Sequence, residues 1–214
     1  MKSKRLKLIA SFIKKEDKVA DIGCDHAYLA IYLKEENCCQ KVIATDINHN
    51  ALKIAQENIL KKNLEQEIKT YLSDGLLMVS DKDIDTVVIA GMGSHTILHI
   101  IDNLEDFSIK KLIIQTNNNL EFLRLNLRKK GFYLQQEKTV WEKNHYYVVG
   151  LYTREYKSLN KRERLYGKYD FENKDYYNYL FEELSLVLEK IKGLKNWPKK
   201  IKLWYQKQLL KKYL

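Results

Sequence analysis

Across the first 150 residues, short β-branched apolar runs alternate with stretches of helical periodicity, and few folds accommodate that rhythm. Val19-Ala20-Asp21-Ile22 reads as a buried strand ending at Gly23, and residues 41–45 as a second, closed by Asp46. Residues 68–72, 86–90 and 112–114 supply a third, fourth and fifth. Residues 4–15 place Leu6, Ile9, Ala10 and Ile13 on one helical stripe, and residues 27–34 are helical. Asn48 can cap a helix through Ala51, Ile54, Ala55 and Ile59. Further stripes follow at Ile97, Leu98 and Ile101, and at Leu120, Leu123 and Leu127. Then the rhythm changes: residues 132–141 and 146–152 are strand-like and joined by Glu142-Lys143-Asn144-His145, a hairpin signal. Five strand–helix repeats and a terminal hairpin predict an α/β sheet, parallel except at one edge and covered by helices on both faces.

Residues 173–214 follow another pattern. Tyr177, Leu180, Leu184, Val187 and Ile191 keep helical spacing, and Gly193 offers a stop. Pro198 suits the first turn of a second helix carrying Ile201, Trp204, Tyr205 and Leu209. An antiparallel helical hairpin of coiled-coil type is expected, reached through a basic connector over residues 156–173. Charge divides the same way. Residues 151–214 hold 16 Lys+Arg against 8 Asp+Glu, whereas residues 1–150 hold 22 against 20. A nearly neutral body with a basic appendage suits a polyanionic partner, nucleic acid first. The expected division is a domain over residues 1–154 and an extension over 155–214. Three cysteines, two of them adjacent, favour a reduced, cytosolic chain. The N-terminal apolar run is broken by Lys7, and nothing approaches 18 consecutive apolar residues, so neither secretion nor membrane spanning is expected.

In such sheets ligands bind beyond the carboxyl ends of the strands, and four motifs fall there. Asp21-Ile22-Gly23-Cys24-Asp25-His26-Ala27-Tyr28 follows the first strand, with Gly23 permitting close backbone approach. The later glycines of a dinucleotide fingerprint are missing, and Asp25 stands where a pyrophosphate needs no negative charge. Asp46 ends the second strand and can accept both hydroxyls of a ribose. Ser73-Asp74-Gly75 can accept from an adenine amine and leave room for its ring. Ala90-Gly91-Met92-Gly93 can press its backbone against a planar group. Singly, each aspartate is as readily a turn former or helix cap. Together, at successive strand ends, they describe a site for a nucleoside with a charged tail.

The segment DIGCDHAYL, the acidic end of strand two, SDG, AGMG and Gln115-Thr116-Asn117 resemble class I S-adenosylmethionine-dependent methyltransferases. They resemble more closely the bacterial TrmK family of tRNA (adenine-N1)-methyltransferases, which act on position 22. The likeness runs from Ser3-Lys4-Arg5-Leu6 to the C-terminal extension, where it is one of architecture and charge; Thr116 stands where a proline is expected. It implies a Rossmann-like methyltransferase sheet, S-adenosylmethionine as cofactor, tRNA as partner, a cytoplasmic location and no metal. Asp21 and Gly23 then line the methionine end of the cofactor, with Asp21 near its ammonium group. Asp46, with Ile47 beside it, holds the ribose; Asp74 and Gly75 hold the adenine; Ala90 and Gly91 face the sulfonium; and Asp25 and His26 border the pocket.

Attack by the neutral N1 lone pair of adenine needs positioning more than a base, and the adenine must turn out of its stack. Asn117 is the candidate for its Watson–Crick edge, His26 for orienting or stacking the base, and Met92 and Gly93 for a pocket wall. Arg154, Lys157, Lys161, Arg162, Arg164 and Lys168, interleaved with Tyr152, Tyr156, Tyr166 and Tyr169, are expected on tRNA, and Arg5 and Lys7 extend that track. A monomer is expected, with a dimer left open. Three other readings compete. A nicotinamide oxidoreductase needs a glycine-richer first loop. A non-enzymatic RNA-binding protein leaves the four strand-end motifs without a purpose. A methyltransferase of another RNA adenine shares every feature except the target.

Overall fold

The computed structural model describes residues 3–104, 107–193 and 195–214. Strands β1 (Lys18–Ile22), β2 (Lys41–Asp46), β3 (Ile68–Leu72), β4 (Thr86–Met92) and β5 (Lys111–Thr116) are mutually parallel. β6 (Tyr133–Glu142) and β7 (His145–Thr153) form an antiparallel hairpin added to β5 through β7, giving the order β3-β2-β1-β4-β5-β7-β6. Its two-residue turn puts Lys143 and Asn144 at φ of 51° and 58°, the left-handed pair whose twist suits a tight hairpin. Strand order reverses between β1 and β4, so the loops leaving these strands splay apart and open a crevice.

Because side chains alternate across a strand, nearly continuous apolar runs feed two cores. Val19, Val42, Ala44, Val88 and Ile113 pack beneath α1 (Lys4–Ala10), α2 (Tyr28–Glu35) and α3 (His49–Leu60). Ala20, Ile22, Ile43, Val87, Ile89, Leu112 and Ile114 pack beneath α4 (Ser94–Asp102) and α5 (Leu120–Lys129). Asn48 caps α3 as its sequence predicts, accepting from the N–H groups of Asn50 and Ala51.

Two expectations for this domain need correction. α1 stops at Ala10 instead of running to residue 15; Phe12 and Ile13 are buried in the turn beyond it, and the Lys14 N–H is taken by the Asp17 carboxylate. There are four strand–helix units, not five, because β3 leads into turns. Leu76, Val79 and Ile84 plug the core there without a helix, and Lys41 pairs with Asp81 and Asp83.

The connector is not irregular either. It contains α6 (Lys161–Tyr166), opened by an Asn160–Glu163 capping box. α6 is tied down by the fully buried Arg124 of α5. That guanidinium forms a two-pronged pair with Glu137 (3.0 and 2.9 Å) and donates to the Arg164 and Leu165 carbonyls (2.8 and 2.9 Å). Buried Asn173 accepts from Thr139 and donates to the Glu137 carbonyl, and the Tyr213 hydroxyl donates to the Gly167 carbonyl. α7 (Lys174–Lys190) and α8 (Trp197–Leu210) form the predicted helical hairpin, with Pro198 in the first turn of α8. α7 ends before Gly193, however, and α8 turns Leu210 inward while Ile201 and Trp204 remain 63% and 56% exposed. No helix among the described residues is long and apolar enough to cross a membrane.

Candidate active site

The crevice at the strand-order reversal is a cavity of about 590 Å³. After β1 the chain doubles back: the N–H groups of Gly23 and Cys24 both donate to the Thr45 carbonyl, pinning the loop to the end of β2. Gly23, Asp25 and Ala27 take φ values of 72°, 51° and 58°, a winding that only Gly23 adopts without strain. A Cβ on Gly23 would lie 2.1 Å from the Met92 methyl, so a side chain here would displace Met92 from the cavity wall. Ala27 opens α2 with no side-chain cap, which leaves the Tyr28 and Leu29 N–H groups for a ligand, the Ala30 N–H being turned to Asp21.

Asp46 is held from both sides, its two oxygens accepting from the N–H groups of Asp25 (3.0 Å) and Asn48 (2.9 Å). Its remaining lone pairs are free for hydroxyl donors. After β3, Asp74 lies beside His99 of α4, and Gly75 at φ 58° lets the loop close onto Ile100. Near the end of β4, Gly91 forms a bulge at φ 79° between Ala90 and Met92.

Asp21, Asp25, Asp46 and Asp74 all line this one cavity, against Arg5 as the sole Lys or Arg among its lining residues. Asp21 is buried. Burial first, and the neighbouring Asp46 second, push its carboxyl up from 3.8 to about 7, with the Ala30 N–H opposing them. A wall of carboxylates receives a cationic ligand and repels a pyrophosphate, which settles the choice against a dinucleotide. Cys24 also lines the cavity, but burial and then Asp21 raise its thiol well above the usual range and keep it neutral.

Every residue expected to hold the cofactor borders this cavity: Asp21, Gly23, Asp25, His26, Asp46, Ile47, Asp74, Gly75, Ala90 and Gly91. Met92 joins them, whereas Gly93 and Asn117 are not among its lining residues; Asn117 lines a smaller neighbouring pocket with Asn118 and His145. The Asn117 Nδ2 donates to the Gly91 carbonyl (2.7 Å), and Asn118 caps α4 through the Ser94 N–H. His26 packs edge-on against Tyr28, and its buried Nδ1 has no hydrogen-bond partner among the described residues. Five residues that line the cavity were not expected there. Arg5, expected on RNA, reaches into the cavity because the Glu142 carboxylate at the hairpin tip binds the N–H groups of Lys4 and Arg5. Thr96, His99 and Ile100 line it from α4; their i, i+3, i+4 spacing was the available signal. Tyr28, 55% exposed, lay unassigned within the first motif.

The basic track is partly committed to the fold. Arg154 donates to the Ile109 and Lys130 carbonyls and stacks on Phe132, so its guanidinium serves packing. Lys161 and Arg162 lie over the rings of Tyr205 and Tyr213. Arg164 lends its carbonyl to Arg124, and Lys168 its carbonyl to Tyr177. Tyr152 and Tyr166 are buried or half-buried, while Tyr156 and Tyr169 remain exposed.

A family model described as a methyltransferase domain matches residues 2–149. The Mycoplasma capricolum TrmK structure with S-adenosylhomocysteine aligns at TM-score 0.84 and 32% identity, over 100% of this chain and 97% of that one. The chain belongs to the TrmK family of methyltransferases. The tRNA (adenine(22)-N(1))-methyltransferase of Bacillus subtilis is 32% identical over 149 residues, 69% of this chain and 63% of that protein. The chain thus spans just under two thirds of that curated relative in sequence. In structure, B. subtilis TrmK matches over 100% of this chain and 98% of its own, at TM-score 0.83 and 25% identity. The α6–α8 extension is therefore part of the TrmK architecture, beyond the stretch that the methyltransferase-domain model covers.

Proposed function

We propose that the protein is an S-adenosylmethionine-dependent tRNA methyltransferase that methylates N1 of adenine 22. The observation that carries this reading is the convergence of all four strand-end loops on one cavity rich in carboxylates and relieved of side chains at Gly23, Gly75 and Gly91. The donor set fits the cofactor. Asp46 takes the ribose hydroxyls with Ile47 beside it, and Asp74 and Gly75 take the adenine. Asp21 takes the ammonium, and the uncapped start of α2 the carboxylate. When bound, S-adenosylmethionine supplies an electrophilic methyl group on a sulfonium.

The chain's own residues do the rest by placement. N1 of adenine is neutral and its lone pair lies in the ring plane, so no general base is required. Asn117 faces the Watson–Crick edge, offering a carbonyl to the exocyclic amine. Met92 and Gly93 wall the base, and His26 orients it. Residues 1–154 carry this chemistry, and residues 155–214 bind tRNA. Lys7, Lys157 and the exposed lysines of α8 are among the cations of that surface, and Trp197 and Trp204 offer stacking area with Ile201 as an apolar contact.

The test is transfer of labelled methyl to bulk unmodified tRNA, followed by nucleoside mass spectrometry. The expected product is 1-methyladenosine. An N6- or ribose-methylated nucleoside, or no transfer, would refute the assignment.

A further inference from the structure

Gln115 is 1% exposed and lies on β5 between the Gly91 bulge and Asn117. Its Oε1 accepts from the Gly91 N–H (3.0 Å) and from Arg5 Nη1 (3.0 Å). Its Nε2 donates to the Thr116 carbonyl (2.9 Å) and to Asn117 Oδ1 (3.1 Å). Asn117 closes the ring by donating from Nδ2 to the Gly91 carbonyl (2.7 Å). Two donors on one oxygen decide which way the Gln115 amide faces, since its reverse would set an NH₂ group against an N–H and a guanidinium. With that amide fixed, the Asn117 amide is fixed as well: oxygen toward Gln115, nitrogen toward Gly91. Asn117 keeps one lone pair and one N–H unused, an acceptor and a donor on an exposed side chain bonded to Gly91 of the cavity wall.

Arg5 reaches this network from α1, on the other side of the sheet's rim. Its backbone is held by Glu142, and its guanidinium lies over the Tyr147 ring at 5.2 Å. One guanidinium donor is thereby fixed on the Gln115 oxygen. We propose that Gln115, braced by Arg5, is a positioning residue for methyl transfer: it sets which end of the Asn117 amide meets the target adenine. This rests on the functional reading above, in which Asn117 faces that base.

Two substitutions separate the role from bulk packing. Gln115→Glu keeps an acceptor for Arg5 and Gly91 but turns a second oxygen on Asn117 Oδ1, so the Asn117 amide must turn over or lose its partner. Gln115→Met keeps the volume and removes every polar contact. Both variants should lower kcat about tenfold or more while the KM for tRNA and the Kd for S-adenosylhomocysteine stay within about twofold. In an Asn117→Ala background, neither should cost more than about a further twofold, because the group through which Gln115 acts is gone. Arg5→Met should likewise add little to Gln115→Met. Gln115→Glu also sets an oxygen against the Thr116 carbonyl, so melting temperatures are read for both variants and kcat is compared in whichever folds; Arg5→Met, which leaves the Gln115–Asn117 contacts in place, tests the bracing if neither does. Full additivity with Asn117→Ala, or a wild-type kcat in folded Gln115→Glu, would overturn the positioning role alone. A wild-type chain that transfers no methyl to tRNA would overturn the functional reading and this proposal with it.

Discussion

Lowering the pH from about 8 to about 6 should weaken S-adenosylhomocysteine binding about tenfold, because Asp21 must be ionised to meet the ligand's ammonium group. Burial and the adjacent Asp46 raise this carboxyl from 3.8 to about 7. Above that value the carboxylate is already charged; one pH unit below it, only about one molecule in ten is. The sign for the ligand-free fold is opposite. Between 3.8 and about 7 the folded chain holds a proton that the unfolded chain has lost, so stability falls as pH rises through that window. The loss approaches roughly 4 kcal/mol, since each pKa unit is worth about 1.4 kcal/mol. Ammonium binding offsets part of this cost. Calorimetry in buffers of different ionisation enthalpy reads the linkage directly: nearly one proton released per ligand at about pH 6 and almost none at about pH 8. Asp21→Asn should bind more weakly at the higher pH and show a flat profile. A flat wild-type profile without proton release would refute this placement of Asp21, as would Asp21→Asn with an unaltered pH dependence.

Asp46→Ala removes the acceptor shared by the Asp25 and Asn48 N–H groups as well as the proposed ribose contact, and should raise the S-adenosylhomocysteine Kd about tenfold or more by calorimetry. Arg124→Met leaves Glu137 buried and unpaired and frees the Arg164 and Leu165 carbonyls; urea denaturation should show a loss of about 3–5 kcal/mol. The double substitution Trp197→Ala/Trp204→Ala should weaken tRNA binding about thirtyfold or more, at about 1–3 kcal/mol per lost stacking contact, and leave the salt slope of the affinity intact. Charge reversal at Lys199 and Lys202 should flatten that slope instead. Unchanged tRNA affinity in the tryptophan variant would remove the stacking face.

The sheet was legible in the sequence because its central strands are apolar on both faces and end in Asp or Gly. Those residues led to one cavity: bringing Asp21, Asp46, Asp74 and Gly91 together needed only the rule that ligands gather at carboxyl strand ends. Long-range polar contacts left no periodic trace. Arg5 reads as one more basic residue until Glu142, far away in sequence, anchors its helix and turns it inward. Likewise Arg124 lies in an ordinary amphipathic stripe, and only its pairing with Glu137 and two carbonyls shows that residues 156–173 are docked through α6. The same hub cautions against truncating at residue 154: removing the extension strips Arg124 of two acceptors and uncovers Val148, Leu120 and Tyr146, which pack against its tyrosines. On α8, spacing alone could not tell the face turned inward at Leu210 from the tryptophan face left to solvent.

Reverse transcription of a tRNA transcript treated with the protein and S-adenosylmethionine tests the account most directly, because a methyl on N1 blocks base pairing where it sits. A new stop at position 22, absent when that adenine is replaced by guanine and lost in Asp46→Ala, is the predicted result. Read-through at that position in a tRNA that has demonstrably accepted methyl would contradict it.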